Sequence, residues 1–214
     1  VVVAGSHGKT TTTSLISNIF SHAKIDPTVI NGGVLNSFSG SARLGKSEWC
    51  ILESDESDGS FTKIPPTYSI VTNIDKEHLD YYKSLEILKK NFIKFIEKIP
   101  SFGKVFICLD DKNNKSIIGK IKNQNIITYG LSEKSNFRIK NIKLQYNKSI
   151  FDLEVHLPNQ ERKTYKSFKI PLIGIHNIKN SCAAIAVAIL MGISISLIKK
   201  AILEFKGVQR RFNY

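Results

Sequence analysis

The sequence predicts an α/β domain: a mostly parallel sheet of P-loop type flanked by helices, with a small antiparallel subsheet around residues 137–170. Three observations carry this expectation. Val1-Val2-Val3-Ala4 runs into Gly5-Ser6-His7-Gly8-Lys9-Thr10, and Leu15, Ile16, Ile19 and Phe20 follow at helical spacing, which reads as strand, glycine turn and helix. Trp49-Cys50-Ile51-Leu52 and Tyr68-Ser69-Ile70-Val71 are short, largely apolar runs of the kind that a parallel strand covered on both faces requires. Phe151, Leu153, Val155 and Leu157 alternate with polar residues, as in antiparallel hairpins with one wet face.

The elements follow in order. After the first helix, Thr28-Val29-Ile30 reads as a short strand and Asn31-Gly32-Gly33 as a turn, and the Ser- and Gly-rich stretch from Ser37 to Ser47 as loop. The strand at Trp49 ends at Glu53, and the strand at Tyr68 ends at Thr72-Asn73. A helix is expected over 84–98, with Leu85, Leu88, Phe92, Phe95, Ile96 and Ile99 on one side, followed by strands at Val105 to Leu109 and Ile126 to Tyr129. Two helices close the chain, an alanine-rich one over 177–191, for which Asn177 is a good N-cap, and another over 194–205. Ligands of open α/β sheets gather at the carboxyl ends of strands, so the loop after Ala4, Glu53 and Asn73 are expected on one edge.

Composition narrows the possible functions. The 214 residues suffice for one domain with a substantial core, and the absence of an initiating methionine before a buried-looking strand reads as a piece of a longer protein. No apolar run approaches the ~20 residues that span a bilayer, so neither a membrane partner nor a signal peptide is expected. Cys50, Cys108 and Cys182 each lie among apolar neighbours, as buried reduced thiols of a cytoplasmic protein would. The net charge of +13 raises the question of nucleic acid, but residues 1–100 carry 11 basic and 11 acidic side chains, residues 101–170 carry 14 and 6, and residues 171–214 carry 6 and 1. The half holding the glycine loop is therefore neutral, and the excess falls on a Lys- and Asn-rich middle that reads as solvated faces rather than a nucleic-acid groove.

The glycine loop reads as a phosphate cradle. Backbone N–H groups of Gly5, Ser6, His7, Gly8, Lys9, Thr10 and Thr11 can close on an anion where the new helix directs its positive end. Lys9 adds a mobile cation for the outer phosphates, and the Thr10 hydroxyl a ligand for Mg²⁺. The general pattern places a glycine where Val3 stands, so the loop is short. Glu53-Ser54-Asp55-Glu56-Ser57-Asp58 crowds four carboxylates at a strand end, which fits Mg²⁺ or a polar ligand, or else an acidic surface turn. Glu53 is the strongest metal candidate there, because the sheet would hold it beside the loop. His78 lies beyond the next strand end among polar groups, a surface histidine taken alone and a metal ligand if it shares the edge with Glu53 and Thr10. His176-Asn177-Ile178-Lys179-Asn180 places two asparagines one helical turn apart, able to pair with a purine edge. Arg210-Arg211 near the end of the chain could clamp phosphate.

Together these stretches resemble the central ATP-binding domain of the Mur ligases, and the resemblance runs from Val1 to Tyr214. Within that family, Ala42-Arg43-Leu44-Gly45 and the run from Glu53 to Phe61 look most like the branch that joins L-alanine to UDP-N-acetylmuramate in cell-wall precursor synthesis. A branch that recycles whole muropeptides shares the loop but tends to carry Tyr where Ser57 stands; folylpolyglutamate synthases lack the acidic run. The resemblance implies that Lys9 contacts the β- and γ-phosphates of ATP, and that Thr10, Glu53 and His78 hold Mg²⁺. It further implies that His176, Asn177 and Asn180 lie near adenine, and that Arg211 approaches the nucleotide. Asp55, Glu56, Ser57, Asp58 and Asn73 are implied to face the muramoyl substrate. A carbamylated lysine found in several relatives corresponds here to Ile93. The implied chemistry makes Lys9, Glu53 and His78 catalytic: a carboxylate is phosphorylated by ATP and the acyl phosphate is then attacked by the amine. Flanking domains of the same chain would hold the UDP moiety and bring the amino acid, so residues 1–214 alone are expected not to ligate. A nucleotide-dependent switch and a nucleic-acid-binding module are the readings from other classes.

Overall fold

The structure is a computed structural model that describes residues 1–35, 40–122 and 125–207. Ten strands form one sheet: β1 (Val2–Ala4), β2 (Thr28–Leu35), β3 (Gly40–Arg43), β4 (Cys50–Glu53), β5 (Tyr68–Val71), β6 (Lys104–Cys108), β7 (Ile126–Gly130), β8 (Phe137–Gln145), β9 (Lys148–Val155) and β10 (Lys163–Ile170). Their order is β10-β9-β8-β7-β6-β5-β1-β4-β2-β3. The run from β8 through β5, β1 and β4 to β2 is parallel, and β9, β10 and β3 pair antiparallel at the two margins.

Among the described residues six α-helices cover both faces, α1 (Lys9–His22), α2 (Leu79–Tyr82), α3 (Leu85–Ile96), α4 (Lys112–Ile118), α5 (Ile175–Leu190) and α6 (Ile195–Leu203), with one 3-10 turn at Ser60–Lys63. Alternation along the central strands explains why continuous apolar runs were needed. Val3, Ile70 and Phe106 point into a core shared with Leu15 and Phe20 of α1, the alanine face of α5 and Ile198 of α6. Val2, Val71 and Val105 point into a second core with Leu88, Phe92 and Phe95 of α3, Ile117 of α4 and Phe61. The carboxyl end of β1 leads through α1 towards β2, whereas the end of β5 leads through α2 and α3 towards β6, which creates a topological switch between these neighbours. Among the described residues no helix is long and apolar enough to cross a membrane.

Several local expectations are corrected. Asn31-Gly32-Gly33 lies inside β2 rather than in a turn, and part of the Ser- and Gly-rich stretch forms β3, which pairs antiparallel with β2. Edge pairing and a Glu53 carboxylate that accepts the Gly32 N–H outweigh the local turn preference of these residues. The antiparallel segment expected around 137–170 is present as β8 to β10, and it is joined to the parallel sheet because β8 continues the ladder from β7. Cys50 is exposed at the first position of β4; Cys108 and Cys182 are buried free thiols. Helix α5 is capped by Gly174, at φ 104°, and Asn177 sits in its first turn, where the side-chain amide donates to Ile173 O at 2.8 Å. The short helices α2 and α4 had no strong periodic signal; Asp111 caps α4 by accepting the Asn114 N–H.

Candidate functional site

The loop between β1 and α1 is built by its glycines and clamped by the end of β5. Gly5 adopts φ +128°, and a β-carbon there would lie 2.2 Å from Thr72 Oγ1; Gly8 adopts φ +86°, and a β-carbon there would lie 2.5 Å from Asn180 Oδ1. The chain can therefore pass between β5 and α5 only without side chains at both positions. Ser6 N–H donates to Asn73 O at 3.0 Å and His7 N–H to Asn73 Oδ1 at 2.8 Å, while His7 O accepts from Thr72 Oγ1 at 2.7 Å and Asn73 Nδ2 at 3.0 Å. Asp75 N–H closes the clamp on Ser6 Oγ at 2.9 Å. His7 extends to within 3.5 Å of Asp75 and 3.6 Å of Glu77. The Lys76 N–H, and secondarily His7, hold the exposed Asp75 carboxyl below its ordinary range.

Four sequence candidates meet in two pairs at the start of α1. Thr10 Oγ1 donates to Glu53 Oε1 at 2.9 Å, and Glu53 Oε2 accepts the Gly32 N–H at 2.7 Å, so the carboxylate is fixed beside the loop. Lys9 Nζ lies 2.9 Å from Glu56 Oε2, 3.8 Å from Asp55 Oδ1 and 3.4 Å from Ser6 O. Glu56 is 1% exposed, and its Oε1 is buried with no hydrogen-bond partner among the described residues. His78, at φ 56° before α2, brings an imidazole nitrogen within 4.8 Å of single carboxylate oxygens of Asp55 and Glu56. The structure thus groups His78 with Asp55 and Glu56, and Thr10 with Glu53. This oxygen-rich donor set, with one imidazole and one unpartnered buried oxygen, suits a hard divalent cation.

The remaining acidic residues are arranged locally: Ser57 Oγ donates to Asp55 at 2.9 Å and Ser60 N–H to Asp58 at 2.9 Å. The Ser60 hydroxyl, and then its N–H, hold the exposed Asp58 carboxyl below its ordinary range. Asn73, implied to face substrate, has both ends of its amide engaged by His7. Two adjoining cavities open beside the loop. One of about 660 Å³ is lined by His7, Gly8, Thr11, Asn73, His176, Asn177 and Asn180. The other, about 370 Å³, shares Asn73, His176 and Asn180 and adds the strand-end residues Cys108, Asp110 and Asp111. Lys179 bridges Asp110 at 3.0 Å. Burial pushes the Cys108 thiol up to about 11. Arg211 lies outside the described residues.

Sequence reasoning missed Thr72, Asp110 and the Lys9–Glu56 pair. Thr72 and Asp110 both follow a parallel strand, so the strand-end rule applied to every strand would have found them.

A glycine-built loop that opens a helix at the switch point of a parallel sheet defines the class, a P-loop-type α/β domain. The description "Mur ligase middle domain" matches residues 3–188, and the chain belongs to that family, whose middle domain binds ATP. It is 64% identical over 213 residues to the UDP-N-acetylmuramate–L-alanine ligase of Pelagibacter ubique, covering 100% of this chain and 46% of that protein. The enzyme of the same name from Rhizobium etli is 43% identical over 213 residues, with 99% and 45% covered. Among solved structures, the UDP-N-acetylmuramate–alanine ligase of Thermotoga maritima superposes with a TM-score of 0.84 at 28% identity, covering 99% of this chain and 46% of that one. The chain thus spans about half the length of the relatives it matches.

Proposed function

We propose that this chain is the ATP-binding middle part of a UDP-N-acetylmuramate–L-alanine ligase that acts in peptidoglycan precursor synthesis in the cytoplasm, with neither nucleic acid nor membrane as partner. The observation that carries the reading is the 64% identity, over the whole chain, to a relative of that name. An N-terminal UDP-binding part and a C-terminal part that brings the amino acid complete the enzyme. ATP supplies the phosphoryl group that turns the lactyl carboxylate into an acyl phosphate, which the amine of L-alanine then attacks. The residues of this chain neutralise and align the crowded anions. Lys9 and the N–H groups from Gly8 to Thr11 carry the phosphates, Thr10 with Glu53 and His78 with Asp55 and Glu56 would hold divalent cations, and Asn177 and Asn180 with His176 border the adenine cavity. Asp55 to Asp58 lie towards the muramoyl side.

The test is alanine-dependent phosphate release by the protein at the full length of its relatives. UDP-N-acetylmuramate with L-alanine is expected to drive release, and peptide-bearing substrates are expected not to. Preference for an intact muropeptide over L-alanine would overturn the specificity in favour of the recycling branch. Residues 1–214 alone are expected to release no phosphate.

A further inference from the structure

We propose that Glu56 is a positioning residue: in the nucleotide-free protein it holds Lys9 away from the phosphates, and it releases Lys9 when a divalent cation takes the ammonium's place among Asp55, Glu56 and His78. The proposal rests on the reading of Lys9 as the phosphate lysine.

Glu56 cannot follow Lys9 to a ligand. Its carbonyl accepts from the hydroxyl of Tyr82, itself 2% exposed, and from Gly59 N–H at 3.1 Å, so two donors hold its backbone in place. The side chain is 1% exposed, and a carboxylate so placed needs a cation beside it. Lys9 supplies that cation at 2.9 Å. Its other contacts are weaker, Ser6 O at 3.4 Å and the exposed Asp55 at 3.8 Å, so Lys9 is the movable partner. If Lys9 swung to a phosphate and nothing replaced it, Glu56 would remain as an uncompensated buried charge. The replacement site is already outlined. Glu56 Oε1 lacks a partner among the described residues, and oxygens of Asp55 and Glu56 lie within 4.8 Å of a nitrogen of His78. Lys9 and a divalent cation therefore compete for one carboxylate, and binding of the cation favours binding of the nucleotide, and the reverse, by the same factor.

The experiment uses the full-length protein, with Mn²⁺ alone and ATP in excess chelator as separate probes. Lys9→Met removes the competing ammonium and is expected to tighten Mn²⁺ binding about tenfold, because the cation site is no longer filled by the side chain. Lys179→Met, which removes a cation bound to Asp110 in the neighbouring cavity, is expected to leave Mn²⁺ affinity unchanged. Glu56→Gln is expected to weaken Mn²⁺ binding and to tighten metal-free ATP binding about tenfold, a gain that disappears in a Lys9→Met background. Mn²⁺ affinity unchanged by Lys9→Met, or raised equally by Lys179→Met, overturns the proposal. So does a Glu56→Gln gain that persists without Lys9, which would be plain charge repulsion. The Mn²⁺ arm on Lys9→Met stands even if Glu56→Gln fails to fold. Failure of the underlying reading has its own signature: ATP affinity that Lys9→Met does not lower.

Discussion

The phosphate-loop edge and the antiparallel end of the same sheet hold their polar groups in opposite ways. At the loop edge the partners are distant in sequence: Thr10 with Glu53, Lys9 with Glu56 and His7 with Asn73 are separated by 43, 47 and 66 residues. At the antiparallel end they are near neighbours. Asp152 accepts from Asn141 Nδ2 and Ser167 N–H, each at 2.7 Å and 11 and 15 residues away, and Glu154 meets Lys140 at 3.2 Å, 14 residues away. The first arrangement depends on the whole sheet being assembled. The second depends only on two hairpins, whose register shifts between Lys140 and Lys143 and between Tyr165 and Phe168 bring Asn141 and Ser167 onto Asp152. The difference also locates the excess charge: the basic middle of the chain spends its cations on local pairs and open solvent, while the one lysine of the loop sits against a buried carboxylate.

Breaking the antiparallel end at its core is expected to have the largest effect on stability and none on the ligand. Phe151 is fully buried and stacks on Phe168 with ring centres 5.6 Å apart, so Phe151→Ala should lower the unfolding free energy by about 3–5 kcal/mol in urea melts. ATP affinity below the transition should not change. A matching loss of ATP affinity would show that the two regions are not independent.

Lys9→Ala acts on both properties but chiefly on the ligand. It leaves Glu56 as a buried carboxylate without its cation, so it should cost about 1–3 kcal/mol in urea melts, while reducing alanine-dependent turnover of the full-length protein by about 10²–10³-fold. Turnover within twofold of the parent would refute the phosphate role.

Gly5→Ala should touch both properties, because its φ of +128° and the 2.2 Å approach to Thr72 Oγ1 leave no room for a methyl group. A loss of about 1–3 kcal/mol, with weakened ATP binding, is expected from the strained backbone. Calorimetric titration with ATP and a thermal melt measure the two effects separately.

The smallest effect sharpens the local nature of the antiparallel end. The Asn141 side chain, and then the Ser167 N–H, hold the Asp152 carboxyl below its ordinary range. A carboxyl lowered on folding contributes stability that is fully present above its unfolded value of 3.8 and fades as pH falls through the lowered folded one. Asp152→Asn is therefore expected to cost less than about 1 kcal/mol at pH 7, given the screening by solvent, with the difference vanishing in acid. Equal loss at pH 7 and pH 2 would assign the effect to packing instead.

How much of the molecule the residues disclosed follows the same division. The hairpins of β8 to β10, the apolar face of α3 and the alanine-rich α5 were legible, because period-2 and period-3.6 burial is written locally. The turn expected at Asn31-Gly32-Gly33 was misread because a long-range bond from Gly32 N–H to Glu53 holds it in a strand. The buried setting expected for Cys50 failed because apolar sequence neighbours do not settle whether the first residue of a strand is covered.

The sequence by itself determined the strand–loop–helix unit around Lys9, the covering of the sheet on both faces and the list of polar residues at strand ends, since backbone preference and hydrophobic period act over a few residues. Only the tertiary structure decided which of those residues meet. It placed Thr10 on Glu53, closed Asn73 onto His7, and seated Lys9 on Glu56. The reason is physical: a buried carboxylate takes whichever cation the folded sheet brings within reach, and the order of strands, not the order of residues, sets that reach.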